Sequence, residues 1–177
     1  MYKKFSLKTR IISIILILGI SLAALPLTPV LAATGPKDGN YPWLEKMLQR
    51  EKTALEKQGE RLERTDEIIS KVETLIEKAK AKGINTSTLE AALSTFQERL
   101  PAIQEHHDQA ASLLANPAGF DANGKVTDRK QALKTLRQAG EELRRAHLEI
   151  TEATLDLRAA VRAFLEANKP IGSTEKP

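Results

Sequence analysis

Three histidines, His106, His107 and His147, are the side chains in this sequence best suited to metal binding or proton transfer. A shared metal ion needs its ligands close together. Counting back from the predicted helix ends places His107 level with residue 137, which puts it about 15 Å from His147. None of the three has a glutamate three residues before it, the arrangement typical of di-iron helical bundles. We therefore expect buried or boundary histidines and no metal site.

The stretch from Asp121 to Asp128 is the second place where the residue types suggest an ion site. Aspartate and asparagine at its first and third positions are those of a calcium loop. However, Lys125 stands at the fifth position, and Ala132 stands at the twelfth, where a carboxylate is needed. An Asn-Gly turn before a helix explains the stretch better, and whether it binds an ion stays open.

The rest of the sequence has no pattern typical of an active site. It contains no cysteine, so thiolate metal sites, cysteine nucleophiles and disulfides are excluded. It also has no Walker loop and no glycine-rich phosphate cradle, and its carboxylates are predicted on helix surfaces beside lysine and arginine. We therefore predict that the protein is not an enzyme and has no catalytic, metal-binding or cofactor-binding residues and no cofactor.

The positive charge of the chain is concentrated at its N-terminus. Of 27 lysines and arginines, Lys3, Lys4, Lys8 and Arg10 are the only charged residues among the first 32, and the formal net charge is +4. Without these four, the 23 remaining basic residues equal the 23 acidic ones. The predicted mature chain is therefore neutral overall and has no basic stripe interleaved with aromatic residues, so we expect no nucleic-acid partner.

Residues 1–32 have the organisation of a secretory signal peptide. An uncharged run, Ile11 to Leu25, follows the basic head, and Pro26 and Pro29 end it. Cleavage is expected after Ala32, or one residue later after Ala33. The protein is therefore predicted to be exported to the periplasm or the extracellular space, with no stable membrane insertion after cleavage. An uncleaved N-terminal membrane anchor is the alternative.

The mature chain predicts an all-α fold, an elongated antiparallel three-helix bundle with coiled-coil-like heptad packing. A flexible lead at 33–41 precedes helices at about 42–82, 88–115 and 128–168, and a disordered tail covers 169–177. Leucine and isoleucine recur every seven residues in the first helix, at Leu48, Leu55, Leu62, Ile69 and Ile76. Because Pro101 removes a backbone donor inside the second helix, we expect a kink there.

Local signals predict where these helices begin and end. Gly83 followed by Ile84 is typical of a Schellman closure at the end of the first helix. Ser87 with Glu90 three residues later predicts a capping box for the second helix. Thr127 is the predicted N-cap of the third helix.

One row of the third helix consists of alanines at a single heptad position. Its members are Ala132, Ala139, Ala146, Ala153, Ala160 and Ala167. Helix propensity alone would scatter alanine along the helix. We therefore expect this row to allow a close contact between helices.

Apolar residues at the helix ends suggest an interaction surface. Its predicted members are Tyr41, Trp43, Leu44, Met47, Phe164 and Leu165. We expect a protein partner or self-association, and an exported, non-enzymatic bundle that acts through protein–protein contact or as a structural module. The alternatives are a periplasmic chaperone or stress adaptor and a ligand- or metal-binding bundle.

Overall fold

A computed structural model describes residues 40–169 of the chain. Its helices are α1 (Pro42–Glu63), α2 (Thr65–Lys80), α3 (Ser87–Ala115) and α4 (Arg129–Ala167). Helix accounts for 82% of the structure, and the predicted all-α bundle is confirmed. The predicted signal peptide, most of the lead and all but the first residue of the tail lie outside the described residues.

Side-chain contacts give the directions of the helices. In the contacts of α1 with α4, residue numbers rise together along both helices, as in Gln58–Leu143 and Arg61–His147. In the contacts of α3 with α4, they rise along one helix and fall along the other, as in Arg99–Asp156 and His106–Glu142. Helix α1 is therefore parallel to α4, and α3 is antiparallel to both. Among residues 40–169, no helix is long and apolar enough to cross a membrane.

The predicted first helix is divided at Arg64, where α1 and α2 meet with a bend of 24°. The hydroxyl of Thr65 donates a hydrogen bond to the carbonyl of Leu62 at 2.6 Å. A hydroxyl on a helix carbonyl competes with the backbone amide of the next turn and bends the helix. Helix α3 continues without interruption through the exposed Pro101, and the kink expected there remains a prediction.

The turn after α2 has the predicted Schellman geometry. Gly83 has a φ of +71°, and the amide of Ile84 donates to the carbonyl of Ala79 at 3.1 Å. This closure satisfies carbonyls that the helix itself leaves without a partner. The prediction for the end of the first helix is therefore confirmed.

Two predicted N-caps are wrong by one residue. Thr86, not Ser87, is the N-cap of α3, and its hydroxyl contacts Glu90 instead of a backbone amide. Asp128, not Thr127, is the N-cap of α4, where its carboxylate accepts from the amides of two residues of the first turn at 2.8 and 3.0 Å. Aspartate also carries a negative charge that suits the positive end of the helix dipole.

The connection between α3 and α4 is built on a tight turn. The carboxylate of Asp121 accepts from the amides of Asn123 and Lys125 at 2.9 and 2.8 Å. The loop also contacts α4 beyond its first residues, since the hydroxyl of Thr135 donates to the carbonyl of Ala118 at 3.0 Å. The loop therefore lies alongside the first turns of α4 instead of turning directly at its N-terminus.

The buried face of α4 carries the alanine row along most of its length. Ala132, Ala139 and Ala146 are completely buried and Ala153 nearly so. Ala160 is half-buried and Ala167 is exposed, so the close contact ends before the helix does. Near the start of α1, Leu44 and Leu48 pack with the first two of these alanines in one cluster.

We expect Ala146→Leu to destabilise the bundle by about 1–3 kcal/mol, because three added carbons have no space at a completely buried position. Urea unfolding measures this loss. Ala163→Leu, at an exposed position of the same helix, is the control and should change stability little. Equal stability of the two variants would contradict the close packing of the alanine row.

Two glycines offer a matched test of the loop position. Gly83 and Gly119 have φ values of +71° and +88°, so alanine adds left-handed strain of about 1–2 kcal/mol at either one. At Gly119 the added Cβ would also lie 2.2 Å from the backbone nitrogen of Ala132, whereas at Gly83 it meets nothing within 4 Å. Thermal unfolding should therefore show the larger loss for Gly119→Ala, and equal losses would mean that the loop is not packed on α4.

Candidate functional site

A layer of polar side chains crosses the interior of the bundle and contains all three histidines. We call it the histidine layer and define it by Gln58 and Arg61 of α1, His106 and His107 of α3, and Glu142 and His147 of α4. Its members come from three helices whose other buried residues are mostly apolar. Polar groups in such an interior are costly unless they bind one another.

Gln58 is the most deeply buried member, with 6% of its surface exposed. Its Nε2 donates to the backbone carbonyl of Leu143 at 3.1 Å, and its Oε1 lies 3.2 Å from Nδ1 of His107. An amide oxygen only accepts hydrogen bonds, so Nδ1 of His107 is the protonated nitrogen in this contact. One side chain of α1 therefore connects the backbone of α4 with a side chain of α3.

His106 connects α3 to two carboxylates of α4. Its Nδ1 lies 2.6 Å from Glu142, and its Nε2 lies 3.7 Å from Glu149. A neutral imidazole has one N–H donor, whereas the imidazolium has two. Both ring nitrogens of His106 face carboxylates of α4.

His147 has the opposite electrostatic environment. Nη1 of Arg61 lies 3.3 Å from Nδ1 of His147, and since arginine can only donate, Nδ1 must be unprotonated. Burial, and then the positive charge of Arg61, hold the pKa of His147 below its usual value. At the α1–α4 contact, His147 therefore favours its neutral form.

Glu51 lies about two helical turns before Gln58 in α1. An ideal Cβ on Gly140 would be 3.7 Å from its carboxylate, so the side chain packs on the bare backbone of α4. Burial raises the pKa of the Glu51 carboxyl, and the smaller effect of Arg50 opposes this. This carboxyl therefore becomes neutral more readily than an exposed one.

The histidines lie closer along the bundle axis than the sequence count predicts. That count placed His107 level with residue 137, but Gln58 connects His107 to Leu143, and His106 reaches Glu142 and Glu149. The difference of one to two turns arises because the loop lies beside the start of α4. Within residues 40–169, no group of three or more histidines and carboxylates is placed to hold a metal ion.

The structure does not bring the six residues of the predicted interaction surface together. Leu44 is completely buried in the core, and Tyr41, Trp43 and Met47 are half-buried against the same cluster. Phe164 and its neighbour Leu165 are half-buried further along α4. Leu44 packs with Ala132, near the start of α4. Phe164 lies 32 residues further along α4, which is about 48 Å away at 1.5 Å per residue.

The outer face of α4 is a feature that the sequence analysis missed. It comprises exposed positions spaced three and four residues apart from Lys130 to Glu166, opposite the alanine row. Leu148 and Leu155 belong to it and are 52% and 51% exposed. Their seven-residue spacing was the signal, but the stronger apolar rows of the same helix concealed it.

We expect acid to weaken the α1–α4 contact through His147. Because its pKa in the folded protein lies below the ordinary value of 6.5, the stability linked to the neutral ring is present above that value and is lost as the pH falls below it. Urea unfolding at about pH 7.5 and about pH 5.5 should show a larger loss for the wild type than for His147→Gln. The glutamine oxygen can accept from Arg61 without gaining a proton.

Protonation of Glu51 acts in the opposite direction, because a carboxyl with a raised pKa stabilises the folded state as the pH falls. The wild type and His147→Gln share this contribution from Glu51, so it cancels when their losses of stability are compared. Equal pH dependence of the two proteins would show that His147 does not carry the effect.

The histidine layer binds helix to helix, and its donors and acceptors are directed at one another across the bundle. This arrangement can set the register of the helices and respond to pH. Comparisons with protein-family models, with curated proteins and with solved structures find no match for the chain.

Proposed function

We propose that this protein is an exported, non-enzymatic helical bundle that acts by protein–protein contact through the outer face of α4. The observation that carries the proposal is the pair of half-exposed leucines, Leu148 and Leu155, on one line of the helix. The N-terminal sequence, with its basic head, apolar run and small-residue exit, supports export.

A protein partner suits the composition of this face. Single exposed leucines are common on protein surfaces and need no explanation. Here the two lie one heptad apart, with charged residues before, between and after them, namely Arg144, Glu152 and Arg162. A small apolar centre with a charged rim is the usual anatomy of a protein–protein interface.

The histidine layer supports a structural role for the interior. Gln58 holds the Leu143 carbonyl and His107, while Arg61 and Glu142 each hold a further histidine. These groups use their hydrogen-bonding capacity on neighbouring helices. In the proposed function they therefore fix the scaffold that presents the outer face of α4.

Site-specific photo-crosslinking tests the proposal. A photoreactive phenylalanine replaces Leu148 in one variant and Gln97, exposed on α3, in a control. Irradiation of the exporting cells should give a discrete protein adduct from position 148 and none from position 97. Adding Leu155→Glu to the first variant should reduce that adduct about tenfold, since it places a charge in the apolar centre.

Equal labelling from both positions, or none from position 148, would contradict the proposal. A broad smear of adducts from position 148 would instead favour the chaperone alternative, which requires contact with many unfolded chains. Suppression of aggregation of an unrelated unfolded protein at substoichiometric ratio then separates the two functions.

A further inference from the structure

The charges on the outer face of α4 indicate which partner fits it. At about 100° per residue, the positions from Lys130 to Glu166 spaced by three and four stay within about 40° of one line. Basic residues dominate the first part of this line, Leu148 lies at its midpoint, Leu155 lies in its second half, and Glu166 ends it. Such a line has a sense of direction, so it can distinguish a parallel from an antiparallel partner helix.

We propose that this face binds a second copy of the chain, in an antiparallel α4–α4 contact whose twofold axis passes between Leu148 and Leu155. The proposal rests on the proposed function and names its partner. In a twofold contact, the same patch serves both copies, and a step toward the N-terminus on one helix meets an equal step toward the C-terminus on the other. Pairing Leu148 with Leu155 of the second copy therefore fixes every other pair.

This register places opposite charges together at two positions on each side of the axis, whereas the two Glu152 side chains meet at the axis itself. Seven residues before Leu148 is Glu141, and seven residues after Leu155 is Arg162. Four residues further out, Arg137 faces Glu166. The symmetry doubles each pair, so four ion pairs flank the leucines.

The side chains that form these pairs are accessible. Arg137, Glu141, Arg162 and Glu166 are all exposed. Glu141 also contacts Arg145 of its own helix, whereas the other three form no ion pair within residues 40–169. Three of the four side chains thus keep their charge available for a second copy.

A parallel contact has the opposite electrostatics. There each residue would meet its own copy, so Arg137 would face Arg137 and Glu141 would face Glu141. Like charges at neighbouring positions destabilise paired helices by amounts similar to those that opposite charges contribute. The charge pattern therefore favours the antiparallel arrangement.

The contact is expected to be weak and reversible. Two half-exposed leucines from each copy bury less surface than a standard stable interface of about 1,600 Å² requires. Exposed ion pairs contribute little each and are screened by salt. The dimer should therefore form at high protein concentration and loosen as the salt concentration rises.

Cysteine crosslinking tests both the partner and the register, and the absence of native cysteine removes any background. Glu152 lies beside the proposed twofold axis, so Glu152→Cys should be crosslinked to its own copy by a short thiol-reactive reagent. Arg137→Cys alone should not be crosslinked, because in this register it lies far from its copy. A mixture of Arg137→Cys and Glu166→Cys should give the mixed dimer.

Charge reversal provides an independent measurement by sedimentation equilibrium of the protein purified after export. Arg137→Glu and Glu166→Arg should each weaken the dimer about tenfold, and the double variant should restore it, because the pairs reform with reversed charge. Both positions are exposed, so folding should be unaffected, which circular dichroism checks. Leu148→Glu should abolish the dimer.

Three results would overturn the proposal: a monomer at every concentration, self-crosslinking of Arg137→Cys, and no rescue by the double variant. If the protein is monomeric while position 148 still forms a discrete adduct with another protein, the proposed function stands and only the identity of the partner is wrong. If both are absent, the proposed function fails as well.

Discussion

The alanine row of α4 lets neighbouring helices approach more closely than leucine would allow, because its side chains end at Cβ. Ala139 and Ala146 are completely buried, and they flank Leu143 along the chain. A glutamine amide on α1 reaches the Leu143 carbonyl at 3.1 Å only when the two helix backbones are close. The polar contacts of the interior thus depend on small residues that have no polar atoms of their own.

This close approach gives the histidine layer its specificity. Apolar packing alone tolerates sliding of one helix against another, since most leucine contacts have near equivalents one turn away. Gln58 has no such freedom, because its two ends bind a particular carbonyl of α4 and a particular ring of α3. A buried polar residue of this kind sets register at some cost in stability, which is its best-attested role in helical bundles.

The sequence predicts features of this fold that depend on near neighbours and misses those that depend on the path of the chain. The closure at Gly83 was predictable because a glycine and the following isoleucine contain the whole signal. The bend at Arg64 was not, since Thr65 looks like an ordinary helix residue until its hydroxyl takes the Leu62 carbonyl. The predicted position of His107 along the bundle axis was wrong, because it depends on a loop that lies beside α4. The periodicity of the sequence contains no information about the path of that loop.

The candidate site shows the same division. The three histidines could be named from the sequence, but their partners on other helices could not, because those partners depend on the register.

The charges of α4 connect the interior with the proposed contact. Its first part, residues 129–145, has six basic and two acidic side chains, and residues 146–167 have two basic and four acidic ones. Helix α3, with four acidic residues and Arg99 as its basic one, runs antiparallel to it. Its Glu105 and Asp108 thus lie toward the basic part of α4, and Arg99 contacts Asp156 in the acidic part. A second α4 in the antiparallel sense meets the same gradient from outside, so one charge pattern serves both the fold and the proposed dimer.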